Sequence, residues 1–141
     1  MDELKGSSKK VALKGIKVLM AEDNDLNAEI AMMQLAEYGL QVTRAVDGKE
    51  AVQLFEASSK GAFDVILMDI MMPNMNGYEA TQAIRSLPRE DAKTIPIIAM
   101  TANAFAEDVE ASLKAGMNAH IAKPIDMEAV LRTLGRYLQA R

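Results

Sequence analysis

The segment Val65-Ile66-Leu67-Met68-Asp69 is an unbroken apolar run that ends on a carboxylate. A strand with one wet face alternates polar and apolar residues. A continuous run of this length instead marks a strand covered on both faces, as in a parallel sheet sandwiched between helices. Three further segments end in a related way. Ile16-Lys17-Val18-Leu19-Met20-Ala21 runs into Glu22-Asp23, Ile97-Ile98-Ala99-Met100 into Thr101, and Ala119-His120-Ile121-Ala122 into Lys123-Pro124. In open parallel sheets, ligands bind beyond the carboxyl ends of the strands, where the chain order reverses. The sequence therefore directs three carboxylates, a hydroxyl and an ammonium to one edge of one sheet.

From Ile16 onward, strand patterns alternate with helix patterns five times, which predicts an α/β fold with parallel strands and right-handed crossovers. The first strand, about 16–21, leads to a helix capped by Asn24 or Asp25, with Leu26, Ile30 and Met33 on one face and a stop at Tyr38-Gly39. Short strand 41–45 precedes a helix opened by Asp47-Gly48, with Ala51, Val52 and Phe55 inward. The third strand is read at 64–68, with a loop from Pro73 to Gly77 and a helix from about 78 to 87. Pro96, which lacks an N–H, suits only the start of the fourth strand. A helix over about 106–115, a strand at 119–122 and a helix capped by Asp126 complete the pattern. The last helix carries Met127, Val130, Leu131, Leu134, Tyr137 and Leu138 as its apolar stripe. The eleven methionines fall mostly at inward positions and read as core packing.

Residues 1–14 are polar, Gly/Ser-bearing and non-periodic, and read as a linker or mobile tail; 15–141 read as one domain. A chain of 141 residues is of single-domain size and buries roughly 70% of its unfolded surface, so it needs no covalent staple. The absence of cysteine excludes a disulfide scaffold and a thiolate metal site. No apolar run approaches the ~20 residues of a membrane span, and the N-terminus lacks the apolar core of a secretory signal. A cytoplasmic domain without membrane contact is expected. Net charge is −4 with no basic stripe, which leaves nucleic acid without an electrostatic footprint.

In a doubly wound sheet the first and third strands are neighbours, so Glu22, Asp23 and Asp69 converge. Like charges this close are unfavourable unless one is protonated or a cation is present. An all-oxygen donor set suits Mg2+ or Mn2+ rather than zinc, and a carboxylate-bound divalent ion ordinarily serves a phosphoryl group. Lys123 then offers a point charge to a phosphate oxygen and Thr101 a hydroxyl donor. An aspartate with no Ser, Cys or His partner can itself be the nucleophile, as in aspartyl-phosphate chemistry. One such Asp alone is ordinarily a turn residue or a helix cap, and Lys-Pro or a strand-end Thr alone means little. The conjunction of five polar groups at strand ends carries the weight.

Glu22-Asp23, Asp69-Ile70-Met71-Met72-Pro73-Asn74-Met75-Asn76-Gly77, Thr101-Ala102 and Lys123-Pro124, in that order, resemble the receiver domain of two-component response regulators over about 15–140. The resemblance implies a flavodoxin-like five-stranded sheet of order 2-1-3-4-5. It implies that Asp69 accepts a phosphoryl group from a phosphohistidine on a histidine kinase or histidine phosphotransfer domain. Glu22, Asp23 and Asp69 would bind Mg2+ with the backbone carbonyl of Met71. Lys123 would contact the phosphoryl oxygens, Thr101 would swing toward them, and the Lys123–Pro124 peptide would be cis. Asp23-Asn24-Asp25-Leu26-Asn27 and the stretch from Met117 to Ile125 are more particularly similar to receivers of hybrid sensor histidine kinases, whose parent proteins can be membrane-anchored. Residues 1–14 would then be interdomain linker.

The family's rotating aromatic is replaced here by His120, the only histidine of the chain. It has no Ser or Cys partner, and it is read as the ring at the switch position. Three rival readings are weaker. A phosphatase with a strand-end Asp nucleophile needs an acid two residues on, where this chain has Met71. A flavin carrier needs a phosphate-cradling loop after the first strand, where Glu22-Asp23-Asn24-Asp25 would repel phosphate. A pseudo-receiver would work without phosphorylation, although every chemical position is filled. No Gly-rich nucleotide loop is present, so the phosphoryl donor is expected from elsewhere, and the output from a surface or from neighbouring domains.

Overall fold

The computed structural model describes residues 14–102 and 106–138, so the tail read at 1–14 lies, apart from Lys14, outside the described residues. Five strands, β1 (Lys17–Ala21), β2 (Gln41–Ala45), β3 (Val65–Asp69), β4 (Ile97–Thr101) and β5 (Ala119–Ala122), form one parallel sheet in the order β2-β1-β3-β4-β5. The helices are α1 (Asp25–Glu37), α2 (Gly48–Ala57), α3 (Gly77–Arg85), α4 (Glu90–Thr94), α5 (Ala106–Ala115) and α6 (Met127–Leu138). The doubly wound flavodoxin-like fold expected from the sequence is the fold found.

Central strands β3 and β4 are buried at every residue, as their apolar runs require. Alternate side chains feed two cores. Val18, Met20, Leu67, Ile98 and Met100 meet α1 and α6, where Val130, Leu134 and Leu138 provide the stripe read from the sequence. Leu19, Ile66, Met68, Ile97 and Ala99 meet α2, α3 and α4 through Ala51, Phe55, Ala80, Ile84 and Ala92. Each fully buried Leu, Ile or Phe here contributes roughly 1.5–3 kcal/mol, so truncating Ile98 to Ala would cost about 2–5 kcal/mol. Eight methionines (Met20, Met32, Met68, Met72, Met75, Met100, Met117, Met127) sit in or against these cores.

Several elements differ from the sequence reading. β3 runs 65–69 rather than 64–68, so Asp69 is the last residue of the strand. α3 starts at Gly77 and ends at Arg85, short of the expected 87. Its Asn76 and Glu79 form a capping box, which sets the start. α4 was not expected; Glu-Asp-Ala-Lys-Thr has no apolar period to announce it. In α1 the face bearing Leu26, Ile30 and Met33 points to solvent, with Leu26 65% and Met33 62% exposed, while Ala28, Ala31 and Leu35 pack on the sheet. At 3.6 residues per turn the two stripes lie on nearly opposite sides of the helix. Two of the three buried residues are alanines, whose small side chains permit a close approach to the sheet.

Candidate functional site

Asp69 closes β3, and Glu22 and Asp23 follow β1, its neighbour in the sheet. One oxygen from each of the three carboxylates lies within 4.8 Å of the others. Glu22 and Asp69 are each only 3% exposed, whereas Asp23 faces solvent. Lys123, just beyond β5, reaches over β4 and places its Nζ 2.9 Å from Glu22 Oε1 and 3.0 Å from Asp69 Oδ2. The Lys123–Pro124 peptide is cis, as the resemblance implied. Thr101 ends β4, is buried, and its carbonyl accepts from the Lys123 N–H at 2.8 Å.

Local backbone geometry fixes these groups. Asn24 caps α1 by accepting from the Asn27 N–H, and its own N–H donates to Glu22 Oε2 at 3.1 Å. The Met71 N–H donates to Asp69 Oδ1 at 3.3 Å, so the loop after β3 folds back on the carboxylate. That loop is closed by the Gly77 N–H donating to Ile70 O at 2.9 Å. A Cβ on Gly77 would run into the carbonyl of Asp69, which is why glycine stands at the first residue of α3.

The charges do not balance: three carboxylates face one ammonium. Burial pushes the Asp69 carboxyl up to about 6; the Lys123 hydrogen bond opposes this, and repulsion from Glu22 adds to it. Burial acts on Glu22 in the same sense, but its hydrogen bonds from Lys123 and the Asn24 N–H outweigh it and hold the carboxyl below its ordinary range. Lys123 is desolvated too, yet its two carboxylate partners raise its pKa above the usual lysine value. Glu22 is therefore the better-stabilised anion of the pair, and Asp69 the one whose negative charge is least compensated.

Of the residues singled out in the sequence, Glu22, Asp23, Asp69, Lys123 and Thr101 are brought together at the carboxyl edge of the sheet. His120 lies on β5, exposed, in register with Ala99 of β4 rather than with Thr101. Met71 is 79% exposed, and it meets Asp69 through its backbone N–H. One contributor was missed. Arg44 of β2 donates from Nε (3.0 Å) and Nη2 (2.8 Å) to the carbonyl of Glu22, and pairs through Nη1 with Asp25 Oδ1 at 2.8 Å. The signal available in the sequence was slight, a lone cation on an edge strand beside an acidic turn.

Among the described residues, the Glu22, Asp23 and Asp69 oxygens form the one cluster able to hold a metal ion. Their chemistry, carboxylate oxygens without nitrogen or sulfur, fits a hard divalent cation. Comparison with known proteins agrees. Residues 18–134 match the family described as response regulator receiver domain. The chain belongs to that family. The sensor histidine kinase RcsC of Salmonella typhi is 37% identical over 122 residues, which cover 86% of this chain and 12% of that kinase, so the chain spans only a small part of the relative's length. The crystal structure of the receiver domain of sensor histidine kinase PA1611 from Pseudomonas aeruginosa has a magnesium ion coordinated in its active-site cleft. It shares 39% identity with a TM-score of 0.79, covering 89% of this chain and 98% of that one. The Saccharomyces cerevisiae receiver domain of Ssk1, solved with the histidine phosphotransfer protein Ypd1, is 26% identical with a TM-score of 0.78, covering 92% of this chain and 94% of that one. The protein is thus a two-component phosphorelay receiver domain, homologous to the receivers of hybrid sensor kinases. No helix among the described residues is long and apolar enough to cross a membrane.

Proposed function

We propose that Asp69 is the phosphoacceptor of this receiver. A carboxylate oxygen of Asp69 attacks the phosphorus of a phosphohistidine on a histidine kinase or histidine phosphotransfer domain. The O–P bond forms, the P–N bond breaks, and the imidazole leaves with the electron pair. The observation that carries the reading is the shared ammonium: Lys123 Nζ touches both Glu22 and Asp69. It stands where a transferred phosphoryl group would need a positive partner, beside the less compensated of the two buried carboxylates. Glu22, Asp23 and Asp69, with the Met71 carbonyl, would hold Mg2+, or Mn2+ in its place. When bound, such an ion cancels carboxylate repulsion and offsets charge on the phosphoryl oxygens.

Thr101 and His120 are proposed to carry the signal outward, Thr101 from the end of β4 and His120 from the neighbouring strand. A beryllofluoride mimic of the phosphoryl group is expected to shift amides of β4, α5 and β5. Shifts confined to residues 69–77 would leave a relay station with no propagated switch. The exposed Leu26, Ile30 and Met33 on α1, which begins directly after the acidic turn, are proposed as the face that receives the phosphohistidine partner. The receiver is proposed to work in the cytoplasm, as one module of a hybrid kinase.

Incubation with acetyl phosphate and Mg2+ should add one acid-stable, base-labile phosphoryl group, lost with EDTA and in Asp69→Asn. Ile30→Glu should leave this labelling unchanged while slowing transfer from a phosphorylated phosphotransfer protein. Persistent labelling of Asp69→Asn would move the acceptor elsewhere; no labelling at all would favour a pseudo-receiver.

A further inference from the structure

Glu22 is held through both of its backbone groups by consecutive residues of β2. Its N–H donates to the carbonyl of Ala45 at 3.1 Å, and its carbonyl accepts two bonds from the Arg44 guanidinium, at 3.0 and 2.8 Å. The third guanidinium nitrogen is tied to Asp25, at the first turn of α1, at 2.8 Å. One planar fork therefore spans the whole turn that carries Glu22 and Asp23, from the residue leaving β1 to the residue entering α1. The Arg44 side chain is only 20% exposed, whereas that of its partner Asp25 is 92% exposed. The pair therefore gains little as a surface ion pair, and the bonds to the Glu22 carbonyl are the well-shielded ones.

We infer that Arg44 is a positioning residue for the cation site: a positively charged side chain on which the binding of a positive ion depends. The inference rests on reading Glu22, Asp23 and Asp69 as that site. Two effects of opposite sign act on the metal. As a nearby positive charge, Arg44 repels a divalent ion and lowers its affinity. As a clamp on the Glu22 carbonyl, it holds two ligands at the spacing the ion requires and raises its affinity. Glu22 and Asp23 lie on a turn with three like charges packed together, so without the clamp the turn is expected to relax outward and separate them. A partner that orients a metal ligand is worth roughly 10–100-fold in affinity, whereas screened charge across a solvated surface is worth less. The clamp should dominate. Lysine could replace the charge but not the fork, because a single ammonium cannot make both in-plane bonds to the carbonyl and the bond to Asp25.

The test is isothermal calorimetry of the wild-type domain and its Arg44→Met and Arg44→Lys variants with MgCl2 alone, each variant checked by circular dichroism. Arg44→Met should bind Mg2+ roughly tenfold more weakly although it has lost a repelling charge. Arg44→Lys should recover little of that loss. Amide shifts of Glu22 and Asp23 should move in both variants. Equal or tighter binding by Arg44→Met would overturn the inference and leave Arg44 as a mere neutraliser of the acidic turn. If Arg44→Met does not fold, Arg44→Lys decides: wild-type affinity there would show that charge suffices and likewise overturn it. Failure of the wild type to bind Mg2+ is a separate result, visible in the first titration. It would remove the metal site and the Arg44 inference with it.

Discussion

The two ends of the sheet treat acidic side chains in opposite ways. At the amino end, beside the starts of β3 and β4, Arg89 chelates Asp91 at 2.7 and 2.8 Å. The same guanidinium donates to the carbonyls of Phe55, Ser58 and Ser59 and stacks over the Phe55 ring. The hydrogen bond from Arg89 pulls the Asp91 carboxyl down to about 2 against a smaller effect of burial, with the Gly61 N–H helping. At the carboxyl end, Glu22 and Asp69 share Lys123 with Asp23 close beside them, and Asp69 is pushed up to about 6. Charges matched one to one fasten α4 to the loop before β3. Charges left unmatched store repulsion that a cation or a proton can relieve. The uncompensated carboxylates thus gather at one end of the fold only.

The largest effect expected from this contrast is a response to metal. Mg2+ at a hundred times its dissociation constant should stabilise the wild type by about 2.7 kcal/mol in urea unfolding. Asp69→Asn should lose most of that response and, without metal, be more stable than the wild type by about 1 kcal/mol. A variant less stable than the wild type without Mg2+ would mean that the carboxyl end stores no repulsion.

At the other end, Arg89→Met should destabilise by about 2 kcal/mol, since it removes donors from three carbonyls and takes the charge partner from Asp91. Mg2+ affinity should be unchanged. A change in metal binding would show that the two ends are coupled.

The smallest effect concerns pH and has opposite signs at the two ends. The folded pKa of Asp69 lies above its unfolded value of 3.8, so its stabilising contribution is fully present below about 3.8 and is lost as pH rises through about 6. Metal-free wild type should therefore gain about 1 kcal/mol over Asp69→Asn between pH 7 and pH 5. Mg2+ affinity should fall over the same interval, as protons compete for the carboxylate. Asp91 lies on the other side: its contribution is present above about 3.8 and is lost as pH falls through about 2. A flat difference between wild type and Asp69→Asn from pH 7 to pH 5 would contradict the raised carboxyl.

The carboxyl end was legible in the sequence because each candidate side chain ends or directly follows a strand. The period of the strand gives the sheet, and the residue that breaks it gives the site; Asp69 after Val65–Met68 is the clearest case. α1 was legible as a helix but not in its orientation. Leu26, Ile30 and Met33 form as good an apolar stripe as Ala28, Ala31 and Leu35, and periodicity alone does not say which of the two is buried. Arg44 was hidden because a polar residue on an edge strand reads as solvent-facing, and its work is done through a backbone carbonyl that no side-chain pattern reveals. α4 was hidden for a related reason: the bonds of Arg89 and Asp91 around it, not an apolar period, mark its place.

The central claim is that Asp69, the less compensated of the two buried carboxylates at the carboxyl end, is the one that accepts the phosphoryl group. After phosphorylation by acetyl phosphate with Mg2+, borohydride reduction converts an acyl phosphate to an alcohol that peptide mass spectrometry can place. The reduced residue is expected at position 69 alone. Reduction at Glu22, Asp23 or any other carboxylate, with Asp69 intact, would contradict it.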